Sequence, residues 1–366
     1  MQRISIWYSR AAIVFLGDFC QLETIDKDVI YKQVDGIYWE QSLNCLVELK
    51  GTHRYKNCPV LQRIMPKMRN EGLSEADRKI LNSRVIDGDK VKMPRPEKTR
   101  FATFFNAKRC GINIDVFRSY LEKHHAGCTR DNIPKSAIVI KAKACWGKSK
   151  ILLSFEQRKV LFEKCSEAEV TNSWNKHLDP ILCLGPRWNT MINDNLDVHN
   201  GIANGTTAEF VVVRAYLKSG AKLEPIQMFG YWVYSVTVDE VDQLEFEWQD
   251  YDRFKGSFRV DPAQSVYKVK FPVTEAGKEV RVPTTMDLTQ FPTVVNFGTT
   301  GQKLQGKSVD ELVIAEWSKV KNWACVVLES ALWPGGALSR KSYSRRRRFQ
   351  PASRQLYLDM TVRKAS

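Results

Sequence analysis

"TGQKLQGKS", residues 300–308, satisfies the pattern G-x-x-x-x-G-K-[ST] from Gly301 to Ser308 and poses two incompatible folds. A phosphate-cradling loop requires a strand before it, small residues within it, and a helix after it whose first-turn amides face the phosphates. "FPTVVNF" (291–297) is a candidate strand. The interior, however, is Gln302, Lys303, Leu304 and Gln305, bulky residues where close backbone approach favours glycine. The next stretch, "VDELVIAEW" (309–317), clusters Leu312, Val313 and Ile314 as a short buried strand and leaves no room for a first-turn helix. The match is therefore read as accidental. A second stretch, "WGKS" at 146–149, lacks the leading glycine, because position 142 is Ala.

Bulk properties bound the rest. A chain of 366 residues, 43% hydrophobic and 11% aromatic, is long enough for two or three folded domains. Its apolar runs fall short of the roughly 20 residues that span a bilayer. "AAIVFLG" (11–17) stops at Asp18, too short and too strand-like for a signal peptide, so a soluble intracellular chain without membrane contact is expected. Nine cysteines lie between Cys20 and Cys325 with no C-x-x-C pair and no histidines at zinc-finger spacing, which predicts neither a metal site nor a disulfide framework. The net charge of +15 is uneven: residues 340–366 hold nine Lys/Arg against one Asp. This is compatible with a polyanionic partner, but on charge alone a solvated surface ranks ahead of it.

"FLGDFCQL" (15–22) is an apolar strand ending in Gly17-Asp18, with Gln21 three residues after the aspartate. Carboxyl ends of strands are where α/β sheets place catalytic groups. Together with Thr300, Lys303, Gln305 and Gly306, this stretch resembles the PIF and Helitron type of superfamily 1B helicases, which carry G-D-x-x-Q-L in a first motor domain and T-x-H-K-x-Q-G in a second. Gln302 stands where that family has histidine. Further matches occur in the family's order. "ELKGTHRYKNCPVLQRIMPKMRNEGLSEADRKILNSRV" (48–85) resembles the exit from the first motor domain, with Arg54 followed by two helices: Leu61, Ile64, Met65 and Met68 share one face, and Ser74 is placed to cap the second. "FATFFNAKRCGINIDVF" (101–117) resembles the strand that opens the second motor domain, with Asn106 and Arg109 in a turn before a helix. "NDNLDVHNGIANGTTAEFVVV" (193–213) resembles the segment before an inserted small β domain, with "NGTT" a turn between strands.

The resemblance implies an α/β fold of RecA-like motor domains, the first one truncated, with an inserted small antiparallel β-barrel of SH3-like type. The expected boundaries are 1–95 for the remnant of the first domain, 96–205 and 291–330 for the second, 206–290 for the barrel and 331–366 for a basic tail. "EFVVVRAYL", "GYWVYSVTVDEV", "LEFEW" and "SVYKVKFPV" alternate as half-buried strands should within that barrel. By the same resemblance Gln21 senses a γ-phosphate, Asp18 sits near Mg²⁺ beside Gly17, and Arg54 stabilises charge on the transferred phosphoryl group. Thr300, Lys303 and Gln305, with Gly306, link the ATP cleft to single-stranded DNA, while Asn106 and Arg109 contact that strand. Blander readings stand beside these: Arg54 paired with Glu48, Asn106 a turn residue, Lys303 a surface charge.

In the family a phosphate loop and an Asp-Glu pair for Mg²⁺ precede G-D-x-x-Q-L. The sixteen residues before Gly17 contain neither, so a poor ATPase is expected. The family's V-[AV]-L-S-R is also broken: "VVLESALWPGGALSRKSY" (326–343) puts Glu329 and Ser330 where Ser-Arg belongs, and Glu-Ser written GAG TCG reads Ser-Arg one base on. Two functions are implied, a fragment of an ATP-dependent DNA helicase acting as a nuclear monomer, or an ATPase-dead remnant that at most binds nucleic acid. A nucleotide kinase, suggested by the accidental motif, ranks third.

Overall fold

The structure, a computed structural model, describes residues 58–70, 72–84, 99–146, 151–164, 170–172, 178–185, 188–209, 215–248, 257–275, 278–307, 309, 311–320 and 322–330. Gly17, Asp18, Gln21 and Arg54 lie outside them, as does the basic tail. The fold is mixed α/β with several sheets.

Two helices come first, α1 (Pro59–Asn70) and α2 (Glu75–Asn82). Proline is pre-organised for the first helical position that Pro59 occupies. The predicted apolar face of α1 is the one that packs: Leu61, Ile64 and Met65 are buried, with Met68 against the same core. Ser74 caps α2 as predicted, accepting the Asp77 N–H at 3.2 Å. The Asp77 carboxylate then joins the helices, held by Arg63 at 2.9 Å and Lys67 at 3.0 Å.

The next elements are β1 (Thr99–Thr103), α3 (Asn106–His124), β2 (Ile138–Lys141), β3 (Lys143–Trp146), β4 (Ile151–Leu152), α4 (Phe155–Lys164), β5 (Val170–Asn172), β6 (Ile181–Leu184) and β7 (Asn189–Ile192). Then come β8 (Thr207–Glu209), β9 (Ala215–Leu217), β10 (Glu224–Met228), β11 (Tyr231–Thr237), β12 (Val241–Trp248), β13 (Ser257–Val260), β14 (Ala263–Glu275) and β15 (Lys278–Gln290). The last elements are β16 (Thr293–Val295), β17 (Gly298–Thr300), the one-turn α5 (Gly301–Leu304), β18 (Glu311–Ile314) and α6 (Trp323–Glu329).

One sheet is parallel, in the order β17-β1-β18. Its central strand is buried along most of its length, as a strand paired on both sides and covered by a helix must be. Helix α3 lies directly on β17: a Cβ on Gly298 would stand 2.8 Å from the Arg109 carbonyl, so only glycine permits this approach. The Asn113 amide fastens the same junction, donating to the Val295 carbonyl at 2.7 Å and accepting the Gly298 N–H at 2.8 Å. Trp188 fills the far side, edge-on to Phe117, Tyr120 and Phe297.

The expected barrel over 206–290 is not formed among the described residues. Its strands are dealt into three open sheets. β10 and β11 join β2 and β6, β8, β9, β12 and β13 join β7 and β16, and the hairpin β14–β15 joins β3, β4 and β5. The physical reason lies in the partners. "IVIK" of β2 is buried at all four positions and needs a neighbour on each side, which β11 and β6 supply. Alternation specifies half-buried strands here but not with whom they pair.

Around "TGQKLQGKS" the strand reading holds: β17 ends at Thr300, α5 makes one turn, and β18 comes after it with all four residues buried. Among the described residues no long helix succeeds the glycine-lysine pair, and the strand β18 stands where a phosphate loop needs that helix.

Candidate nucleic-acid interface

β1 and β17 run parallel, with Thr103 opposite Thr300. Both therefore release the chain at the same edge of the sheet, β1 into Phe104, Phe105 and α3, β17 into α5. The turn expected at Asn106 is not formed: Asn106 is the first residue of α3, exposed, and Arg109 lies in the first helical turn. Arg109 is only 3% exposed, with its guanidinium donating to the Cys110 sulfur at 3.4 Å. It reaches the edge as a charge behind the surface.

Phe105 precedes α3 but offers no side-chain acceptor. Glu316, just past β18, takes that role: one carboxylate oxygen accepts the Phe104 N–H at 2.8 Å and the Phe105 N–H at 3.0 Å. An acidic group at a helix start also suits the helix dipole. Burial lowers the pKa of half-buried Lys108, with Glu316 and then Asp115 opposing that effect.

Lys303 projects from α5 toward the turn that joins β7 to β8. Its ammonium donates to the Asn204 amide oxygen, and Lys307 donates to the Gly205 carbonyl at 2.5 Å. Gly205 has φ +100, a left-handed conformation that glycine alone adopts without strain, and the Lys303 side chain lies 3.5 Å from where a Cβ would be. Lys303 is half-buried, and its pKa is lowered first by burial and then by the Arg109 charge.

The third wall is α6. Trp323 is fully buried and lies edge-on to Phe104 and Trp317. A Cβ on Gly301 would stand 2.6 Å from its indole nitrogen. Ser330, at the end of α6, donates to the Leu304 carbonyl at 2.9 Å and returns its own carbonyl to the Val309 N–H at 2.7 Å. Gln305 is half-buried, and Gly306 turns the chain toward β18 with φ +77.

Of the residues singled out from sequence, Asn106, Arg109, Thr300, Lys303, Gln305 and Gly306 are thus gathered on or behind one edge. Sequence reasoning misses Asn204, Glu316 and Trp323. For Asn204 a signal is present, since "NGTT" reads as a turn, though not as one that touches a motif residue. For Glu316 there is none, because its partners are more than two hundred residues away. Among the described residues no cluster of three His, Cys, Asp or Glu side chains is placed to hold a metal ion, and no helix is long and apolar enough to cross a membrane.

No protein-family model matches this chain, and no curated protein does. Solved structures similar to it include Pif1 helicases. The Candida albicans Pif1 helicase is 14% identical at a TM-score of 0.45, over 86% of this chain and 61% of that one. Bacteroides Pif1 bound to ssDNA is 12% identical at 0.42, over 78% and 49%. Bacteroides Pif1 with ADP-AlF3 and ssDNA is 13% identical at 0.37, over 78% and 51%. The chain therefore spans about half to about three-fifths of the length of these structures.

Proposed function

We propose that this chain is part of an ATP-dependent DNA helicase of the PIF/Helitron type, and that the edge shared by β1 and β17 carries the backbone of single-stranded DNA. The observation that supports this best is the parallel register of Thr103 with Thr300. It brings two stretches of the motif series, far apart in sequence, to the carboxyl ends of neighbouring strands, where open α/β sheets hold ligands. Lys303 and Asn106 supply phosphate contacts there, Thr300 sets the start of the motif turn, and Arg109 adds field from behind. Phe105, 59% exposed at the head of α3, offers a surface on which a base can stack.

Nucleotide chemistry is assigned by the motif resemblance alone. Gly17, Asp18 and Gln21 face ATP and its Mg²⁺, Arg54 stabilises the transferred phosphoryl group, and Gln305 with Gly306 connects that cleft to the strand. Residues 1–366 by themselves hydrolyse ATP poorly, since the sequence's phosphate-loop match leads into a buried strand rather than a helix. The competing reading, a remnant that binds nucleic acid without turnover, shares this interface and differs only in the ATP response. Nuclear residence and a monomeric state are implied by the same resemblance.

Anisotropy of a fluorescein-labelled oligo-dT tests the proposal. Lys303→Ala is expected to weaken binding about tenfold at low salt, the scale of one charge-assisted contact of ~1.5 kcal/mol. Unchanged affinity in a folded Lys303→Ala protein would remove the interface from this edge.

A further inference from the structure

We propose that the Asn204 side chain is a latch on Lys303, occupying in the resting protein the position that a strand phosphate takes on binding. The inference rests on the assignment of this edge to single-stranded DNA and adds to it a residue that regulates access.

Lys303 is a half-buried cation with a second cation, Arg109, behind it. Among the described residues no carboxylate forms an ion pair with it, and its ammonium donates instead to the neutral amide oxygen of Asn204. A neutral acceptor on a desolvated ammonium is a weak partner. The ammonium already makes this bond charge-assisted, but the amide oxygen offers only a dipole, whereas a phosphate oxygen brings a full opposite charge to a half-buried cation, so a phosphate arriving at this point displaces the amide.

The turn is built to present that amide independently of the bond it makes. The Asn204 N–H donates to the Asn195 amide oxygen at 3.0 Å, and the Gly205 N–H to the Ile192 carbonyl at 2.8 Å. Thr206 closes it from the other side, accepting the Ala203 N–H at 3.0 Å and donating to the Gly201 carbonyl at 3.1 Å. Lys307 pins the same turn through the Gly205 carbonyl. Truncating the exposed Asn204 side chain therefore removes the latch and leaves the turn standing.

Two measurements on the full chain decide it. The first needs no DNA: the rate of reductive methylation of Lys303, read by peptide mass spectrometry, is expected to rise about threefold to tenfold in Asn204→Ala, the scale of one hydrogen bond worth ~1 kcal/mol. The second is oligo-dT anisotropy. Asn204→Ala is expected to bind more tightly by a similar factor, and Asn204→Asp, which turns the neutral acceptor into an anion, more weakly than wild type. In a Lys303→Ala background both effects should vanish. An unchanged methylation rate overturns the latch whatever the DNA result. Weaker binding by Asn204→Ala overturns it in favour of a positioning role. Faster methylation with no change in affinity overturns the gate, and if Lys303→Ala also binds normally, it is the strand assignment that has failed.

Discussion

The Thr103 hydroxyl donates to the Thr299 carbonyl at 3.3 Å across 196 residues of sequence, so β1 and β17 are stitched by side chain as well as by ladder. The end these two strands share leads into Asn106 on one side and Lys303 on the other.

Salt dependence separates a phosphate contact from a structural one. For single strands log K falls with log salt by about 0.7 per phosphate neutralised. Lys303→Ala is expected to reduce that slope by about 0.7, whereas Asn204→Ala should leave it nearly unchanged. Titrations between low and physiological salt measure both slopes.

Residues 340–366, with nine Lys/Arg against one Asp, carry charge enough to anchor a polyanion without specificity. Deleting them should weaken oligo-dT binding at low salt and flatten its salt response. Equal binding by the truncated chain at low salt would show that the tail is not an anchor.

Turnover gives a sharper contrast. The chain is expected to hydrolyse ATP no faster than its Gln21→Ala, Arg54→Ala double variant, with or without single-stranded DNA. DNA-stimulated hydrolysis abolished by both substitutions would contradict this.

Gly301 bears on stability rather than chemistry. A methyl group there would lie 2.6 Å from the buried Trp323 indole nitrogen, and the ring has Phe104 and Trp317 behind it. Gly301→Ala is expected to cost about 1–3 kcal/mol through overpacking, read as a lower urea midpoint.

Asp77 predicts a pH dependence. The Ser74 hydroxyl, then the Lys67 ammonium, hold its pKa down at about 2 against an ordinary 3.8, with burial opposing them. A depressed carboxylate adds stability that is complete well above its unfolded value and disappears as pH falls through its folded one. The loss should therefore run from just above pH 4 down through about 2, and Asp77→Asn should flatten urea midpoints over that window.

The sequence is most legible where local chemistry decides. The face of α1, the Ser74 cap, the "NGTT" turn and the buried Leu312–Ile314 strand each depend on a few neighbouring residues. It is least legible where distance decides. Strands between 206 and 290 carry a clear period of two, yet their partners are set by what β2, β7 and β3 need to cover. Asn106 and Arg109 move from turn to helix because nothing nearby marks the cap: the acceptor is Glu316, supplied from beyond β18. Lys303 is found by motif, but its neighbour Asn204 becomes significant only when the turn and α5 are brought together.

The order of strands in the parallel sheet also has a cost in time. β1 is made early, and both its neighbours lie some two hundred residues later in the chain. At ribosomal speeds of about 5–20 residues per second, Phe101 and Ala102 wait roughly 10–40 s for the strands that flank them. During synthesis this strand, with Phe101 and Ala102 uncovered, is an unpaired template, one that a chaperone can shield and that a stalled or shortened message leaves open to aggregation.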